Sequence, residues 1–133
     1  MDIADAADLL AIARETLLDE LVPVLPNERR YAARMVASAM AIAAREHRLA
    51  PGAERREAET LRRLLQDVDS SPQVLVGVDA TDALPALRGV VRDAIRAGAF
   101  DEPQREHALA AALLQIGTDQ VAIANPKALR DRR

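Results

Sequence analysis

The stretch RYAARMVASAMAIAARE, residues 30–46, decides the fold class of this chain. Seven of its 17 residues are alanine, and no charge interrupts it between Arg34 and Arg45. Because alanine is the strongest helix former, the stretch predicts a helix. Its longest uncharged run has ten residues, whereas a membrane-spanning helix requires about 20. We therefore predict a helix of a soluble, cytoplasmic protein with no membrane contact.

Helical spacing divides this stretch into faces. One sector contains four large side chains: Tyr31, Met35, Ile42 and Leu49. Polar residues occupy only a narrow arc, which is typical of a central helix that packs on several sides. We expect four residues to be largely inaccessible to water: Met35, Val36, Ala39 and Met40.

The composition of the whole chain extends the helical prediction. Half of the 133 residues are hydrophobic, but only Tyr31 and Phe100 are aromatic. β-Branched and aromatic residues favour strands, whereas alanine and leucine favour helices. The length is that of one domain with a core of its own. The sequence therefore predicts an all-α single-domain bundle of about five helices, with a central Ala-rich helix 2, over residues 1–126, and a short basic tail over 127–133.

Turn signals give the predicted boundaries. Five helices are expected, over residues 5–22, 27–49, 52–68, 82–97 and 103–124. Pro51 and the glycine that follows it are expected to end helix 2. Helix 3 has a short apolar patch only near its end, so we expect it to be peripheral. Gly98 suits a left-handed helix end, and Pro103 suits a first helical turn. The segment QVLVGV, residues 73–78, is predicted to be an extended connection.

Charge is distributed unevenly along the chain. Residues 1–26 contain six acids and one arginine, whereas residues 27–66 contain nine arginines and five glutamates. We therefore expect helices 1 and 2 to pack as neighbours with complementary charge. The net charge of −3 and the scarcity of aromatic side chains argue against nucleic-acid binding. The chain contains no cysteine, which excludes disulfides, thiolate nucleophiles and cysteine-ligated metals.

No catalytic motif is visible. His47 and His107 are the only histidines, and neither belongs to a Glu-x-x-His or His-Glu-x-x-His pattern. Glycine-rich phosphate loops are absent, and no serine has the context of a nucleophile elbow. We therefore expect no catalytic residue, no metal site and no cofactor.

Three polar residues of helix 2 form the candidate binding site. Arg34, Ser38 and Arg45 lie on one stripe of the predicted helix. Two interpretations remain open. The arginines either pair with acids of helix 1, such as Glu15 or Asp19, or with backbone carbonyls. Alternatively, they form a small anion pocket with the Ser38 hydroxyl, because arginine forks suit carboxylate and phosphate groups.

Three segments carry a resemblance to a known family: residues 30–46, VVRDAIRAGAFD and VAIANPKAL. Together they resemble a small bacterial family of unknown function. Its members are typically encoded beside aminoglycoside-phosphotransferase-like kinases and acyl-CoA dehydrogenases. In helix 2, Arg34 matches the family pattern, but Ser38 replaces an asparagine and an alanine replaces a histidine. The resemblance implies a context of small-molecule kinase or acyl-CoA metabolism.

Two functional hypotheses follow, from different classes. The first is a non-catalytic accessory or protein-interaction domain, whose partner is a kinase-like or acyl-CoA dehydrogenase enzyme. The alternative is a binding protein or enzyme for a small anionic ligand, phosphate or an acyl-CoA, that uses Arg34, Ser38 and Arg45. A structural homo-oligomer is the third. An exposed apolar patch would favour the first hypothesis, and a polar cavity at Arg34 would favour the alternative.

Overall fold

A computed structural model describes residues 4–68 and 80–131 of the protein. All regular structure in these residues is helical, which confirms the all-α prediction. The helices are α1 (Ala6–Thr16), α2 (Asn27–Asp67), α3 (Ala80–Arg96), α4 (Pro103–Ala124) and α5 (Lys127–Arg130). The extended connection predicted for residues 73–78 lies outside the described residues. Within the described ranges, no helix combines the length and the apolar character that crossing a bilayer requires.

Two short turns join α1 to α2. A π-helical turn, Leu17–Leu21, closes with a hydrogen bond from the Val22 N–H to the Leu17 carbonyl, and a 3₁₀ turn, Val22–Val24, follows. Arg30 then holds this connection, because its Nε donates to the Leu25 carbonyl at 3.0 Å and its terminal nitrogen donates to the Pro23 carbonyl at 3.2 Å. Helix α1 therefore ends earlier than predicted, at Thr16.

Helix α2 continues through the predicted stop at Pro51, so predicted helices 2 and 3 are one helix of 41 residues. An internal proline removes one helical hydrogen bond and costs about 3 kcal/mol. Burial offsets this cost, since Ala58, Leu61 and Leu65 follow at helical spacing and all three are buried. Local turn chemistry alone predicted the break, and packing of the following turns overrode it.

The chain forms two compact units. Unit 1 comprises Met1–Ala50 and Ala122–Arg133, and unit 2 comprises Pro51–Val121. The boundaries fall inside α2 and α4, so both helices contribute residues to each unit. The single domain predicted over residues 1–126 stays a prediction.

Unit 2 has a core of large aliphatic side chains. Its buried members are Ala58, Leu61, Leu64, Leu65, Ala83, Leu84, Leu87, Val91, Ala94, Phe100 and Ala112. The prediction that residues 52–68 form a peripheral helix was wrong, because Leu61, Leu64 and Leu65 belong to this core. In α3, Leu84, Leu87, Val91 and Ala94 are buried at helical spacing, and Gly98 has the expected left-handed backbone, with φ of 81°.

Unit 1 has a core of small side chains. Its buried residues are Ala7, Val22, Ala33, Ala37 and Ala44. The prediction of a buried apolar face on α2 was wrong. Met35 is 52% exposed and Val36 is 49% exposed, Ala39 is also exposed, and Met40 is half-buried. In the unit 1 part of α2, the alanine face is buried rather than the face with the larger side chains, because small side chains allow helices to approach closely.

Candidate functional site

A cleft of about 320 Å³ opens on unit 1. Its lining combines the end of α1, the middle of α2 and the segment around α5. Ten residues line it: Arg14, Ser38, Ala41, Ile42, Arg45, Ala124, Asn125, Pro126, Lys127 and Arg130. We call it the basic cleft, because four of these side chains are cationic and none is a carboxylate.

Backbone carbonyls hold two of the four cations in place. The Nε of Arg14 donates to the Ala37 carbonyl at 3.1 Å, and the Nε of Arg45 donates to the Ile123 carbonyl at 2.7 Å. The second bond has a clear origin, since Ile123 is among the last four residues of α4, whose carbonyls lack helical donors. A cation is also favourable at that helix end. The terminal nitrogens of both arginines have no hydrogen bond or ion pair with a described residue.

The other two cations come from α5. Asn125 and Pro126 end α4 and begin a tight turn, in which the Ala128 N–H donates to the Asn125 carbonyl at 3.1 Å. Lys127 and Arg130 follow three residues apart in α5, a spacing that puts side chains on one helix face. The sequence predicted only a short basic tail here, and residues 127–130 of it form a helix. That helix brings its two cations to the basic cleft.

The charges of the basic cleft are uncompensated within the described chain. Neither Lys127 nor Arg130 forms an ion pair or hydrogen bond with a described residue. The nearby Arg48 differs, because it pairs with Asp8 at 3.0 Å. That pair agrees with the predicted neighbouring of acidic α1 and basic α2. Four cations around one concave surface create a positive potential, which attracts anions.

Two of the three residues predicted for the binding site line this cleft. Ser38 and Arg45 belong to its lining, one on each side of Ala41 along the helix stripe. Arg34 is not among the lining residues, although it lies one turn before Ser38. Whether any of the three binds a ligand stays a prediction.

Neither Arg34 nor Arg45 pairs with Glu15 or Asp19 in the part of the chain that the structure describes, so that option for the two arginines was wrong. The Arg34 side chain is exposed, and it has no hydrogen bond or ion pair with any described residue. Arg45 instead follows the other predicted option, a backbone carbonyl. Solvent screens the attraction between exposed charges, so a surface pair adds little stability and the fold does not require the exposed Arg34 to reach an acid of α1.

A second cleft, of about 220 Å³, lies between α1 and α2 in the same unit. Its lining consists of Leu10, Ala11, Arg14, Met40, Ala41, Ala44, Arg45 and Arg48. We call it the interhelical cleft. Arg14, Ala41 and Arg45 line both clefts, so the two clefts adjoin at these residues.

Unit 2 uses its charges differently. Arg88 forms a two-bond fork with Glu57, at 2.6 and 2.9 Å, and the Glu57 side chain is only 11% exposed. The hydrogen bonds that the Arg88 guanidinium donates to the Glu57 carboxylate raise the pKa of Arg88 above its ordinary value. No group of three or more histidines, aspartates and glutamates in the described ranges could hold a metal ion.

Sequence reasoning missed four polar members of the basic cleft: Arg14, Asn125, Lys127 and Arg130. The sequence predicted the short basic tail over residues 127–133, but it did not indicate which part of the chain would face that tail. Arg45 and Ile123 are 78 residues apart. Helical periodicity gives no information about contacts over that distance.

Comparison with known proteins yields one family. Residues 23–128 match the model of a family described as a domain of unknown function, DUF6285. The matched range contains α2 and most of the basic cleft. No curated protein and no solved structure matches the chain.

Proposed function

We propose that this chain, which belongs to the DUF6285 family of unknown function, binds a small anionic ligand in the basic cleft of unit 1. One observation carries the proposal: four cationic side chains line a single cleft, and no carboxylate shares it. Clustered like charges repel one another, so an anion that binds among them gains the attraction of all four. The family model itself names no activity, ligand or partner.

The geometry favours a phosphate or carboxylate group as the anion. Arg14 and Arg45 are each held through Nε, which leaves their terminal nitrogens as donors for an anion. Arginine forks suit the planar and tetrahedral oxygen sets of these groups. The Ser38 hydroxyl and the Asn125 amide add neutral donors at the same cleft. A volume of about 320 Å³ is at the lower end of the range for small-molecule sites, ~300–1,000 Å³.

Inorganic phosphate is the probe that tests the proposal. We expect phosphate to raise the thermal midpoint of the native protein, relative to chloride at the same ionic strength, because ligands that bind only the folded state stabilise it. The double variant Lys127→Gln/Arg130→Gln should bind phosphate at least about tenfold more weakly, which corresponds to about 1.4 kcal/mol. Isothermal titration calorimetry measures both affinities. Both residues are exposed, so the variant should remain folded.

The matched control is Arg55→Gln/Arg96→Gln. It removes the same charge from two exposed arginines of unit 2 that have no partner among the described residues. It should therefore bind phosphate like the native protein. If phosphate does not bind to the native protein, the proposal is overturned. It is also overturned if phosphate binding is weakened equally in the two double variants, since that would indicate a general effect of charge.

A second candidate function, protein interaction, is favoured by a separate observation. Three large apolar side chains near the start of α2 are exposed: Tyr31, Met35 and Val36. Arg29 and Arg34 are exposed nearby, and their side chains have no partner among the described residues. A partner surface that complements this one would be an apolar helix face flanked by acidic side chains. We propose that a partner enzyme supplies it. The kinase-like or acyl-CoA dehydrogenase proteins implied by the resemblance are the first partners to test.

Binding of each purified partner to the native protein tests this second candidate. Met35→Glu should abolish binding, because it introduces an acid where the acidic partner face would pack. Leu114→Glu is the matched control, at a leucine of unit 2 that is 66% exposed, and it should leave binding intact. If light scattering instead shows a dimer of the native chain that Met35→Glu dissociates, a second copy occupies the surface and the partner-enzyme hypothesis fails.

A further inference from the structure

The basic cleft and the interhelical cleft adjoin, and their chemistry differs. Arg14, Ala41 and Arg45 line both. Beyond these shared residues, the basic cleft adds four polar residues, Ser38, Asn125, Lys127 and Arg130, and three apolar ones, Ile42, Ala124 and Pro126. The interhelical cleft adds four apolar residues, Leu10, Ala11, Met40 and Ala44, and one cation, Arg48. The lining beyond the shared residues is therefore richer in cations in the basic cleft and richer in apolar side chains in the interhelical cleft.

Arg48 is the one cation that lines the interhelical cleft but not the basic cleft, and it already has an acidic partner. Arg48 forms an ion pair with Asp8 at 3.0 Å. The unpaired positive charge is thus confined to the shared arginines and to the basic cleft. A second anionic group in the interhelical cleft would have to compete with Asp8 for Arg48, whereas an apolar group would lie against Leu10 and Met40, which are both half-buried.

We infer that the ligand is a small amphiphilic anion that spans both clefts. Its phosphate or carboxylate head lies in the basic cleft, and an aliphatic portion of a few carbons lies in the interhelical cleft against Leu10 and Met40. Arg14 and Arg45 contact the ligand where head and aliphatic portion join. The alanine at position 41 keeps the junction open, because its side chain ends at Cβ. This inference rests on the proposed anion-binding function and specifies the class of ligand.

A series of probes tests it: inorganic phosphate, then methyl, butyl and hexyl phosphate, each titrated into the native protein by calorimetry. Affinity should rise with chain length by about two- to fourfold per buried methylene. Hexanoate compared with acetate should show the same gain per methylene, which distinguishes the contribution of the chain from that of the head group. The heat capacity change should become more negative along the series, since apolar burial has that signature.

Met40→Gln locates the aliphatic portion. The variant is close in volume but polar, so it should remove most of the gain between phosphate and hexyl phosphate and leave phosphate affinity unchanged. Met35→Gln is the matched control, because Met35 lies outside both clefts. It should preserve the gain.

The outcomes separate this inference from the proposed function. Equal affinities for phosphate and hexyl phosphate would overturn the amphiphile inference and leave anion binding standing. A gain that survives Met40→Gln would overturn the location of the chain in the interhelical cleft. If no probe of the series binds, the proposed function fails, and the inference fails with it.

Discussion

Units 1 and 2 contain similar helices but bury different side chains. Unit 2 encloses Leu65 and Leu87 completely, together with Phe100 and other large residues. Unit 1 buries four alanines and Val22, and it exposes large side chains such as Tyr31 and Met35. Apolar burial stabilises a fold roughly in proportion to the area removed from water. Unit 2 is therefore organised around its own core, whereas unit 1 keeps its larger apolar side chains available for contact.

The two units also treat charge differently. In unit 2, Arg88 has a nearly buried carboxylate partner in Glu57. In unit 1, the cations of the basic cleft have carbonyl partners or none among the described residues. Paired charges serve the fold, whereas unpaired and converging charges suit a ligand. From this contrast we infer that the binding site lies in unit 1.

Truncation of the unit 2 core should have the largest effect. Leu65→Ala should lower the free energy of unfolding by about 2–5 kcal/mol, because it leaves a cavity at a completely buried position. Met35→Ala, at a half-exposed position of unit 1, should cost less than about 1 kcal/mol. Urea denaturation followed by circular dichroism measures both. Equal costs would show that the contrast between the cores is false.

Enlargement of the unit 1 core should come next. Ala37→Leu should cost about 1–3 kcal/mol, because Ala37 is 2% exposed and extra methylenes would push packed helices apart. It should also weaken phosphate binding, since the Ala37 carbonyl holds Arg14. The matched control, Ala39→Leu, lies on the exposed side of the same helix and should be nearly neutral. Tolerance of leucine at both positions would contradict close packing in unit 1.

Much of the fold was predictable because it depends on local chemistry. Alanine-rich composition predicted the helices, Gly98 predicted the end of α3, and Pro103 predicted the start of α4. The continuation of α2 through Pro51 was not predictable, since it depends on burial of later turns in unit 2. The buried face of α2 was misjudged because periodicity identifies faces but does not rank them. An alanine-rich face of a helix can either be exposed to solvent or form a close helix–helix contact, and periodicity does not distinguish the two.

The candidate site was predictable only in part, for the same reason. A stripe containing Ser38 and Arg45 follows from helical spacing alone. The apposition of that stripe with Lys127 and Arg130 depends on the chain returning to α2 at the end of α4, and no local signal encodes this. Arg34 shares the stripe but lies outside the cleft lining.

The ion pair of unit 2 sharpens the comparison of charges. Glu57→Gln should lower the free energy of unfolding by about 1–2 kcal/mol, because it weakens a charged, nearly buried fork. Glu59→Gln, which breaks the exposed pair with Arg63, should cost about 0.5 kcal/mol or less. Because the pKa of Arg88 is raised, its contribution is fully present at neutral pH and is lost only as the pH rises through that raised value. Thermal denaturation of both variants at neutral pH measures the difference.

The smallest expected change in the free energy of unfolding concerns Lys127. It also distinguishes the charges of unit 1 from those of unit 2. Lys127 is the only lysine of the chain, and it lines the basic cleft without a partner among the described residues. Lys127→Gln should therefore raise stability slightly, by no more than about 0.5 kcal/mol at low salt, because it relieves repulsion among four cations. At 1 M chloride the Debye length is about 3 Å, so this gain should vanish.

Phosphate should reverse the sign of this difference. When an anion occupies the cleft, Lys127 attracts it, and this attraction outweighs the repulsion from the other three cations. The native protein should therefore become more stable than Lys127→Gln as phosphate is added at constant ionic strength. Arg96→Gln, the same change of charge in unit 2, should show no such crossing, because Arg96 is not in the cleft. The crossing is measured from the thermal midpoints of the native protein, Lys127→Gln and Arg96→Gln at increasing phosphate concentration. Parallel curves for native and Lys127→Gln would mean that Lys127 is an ordinary surface cation, and the comparison between the units would then rest on packing alone.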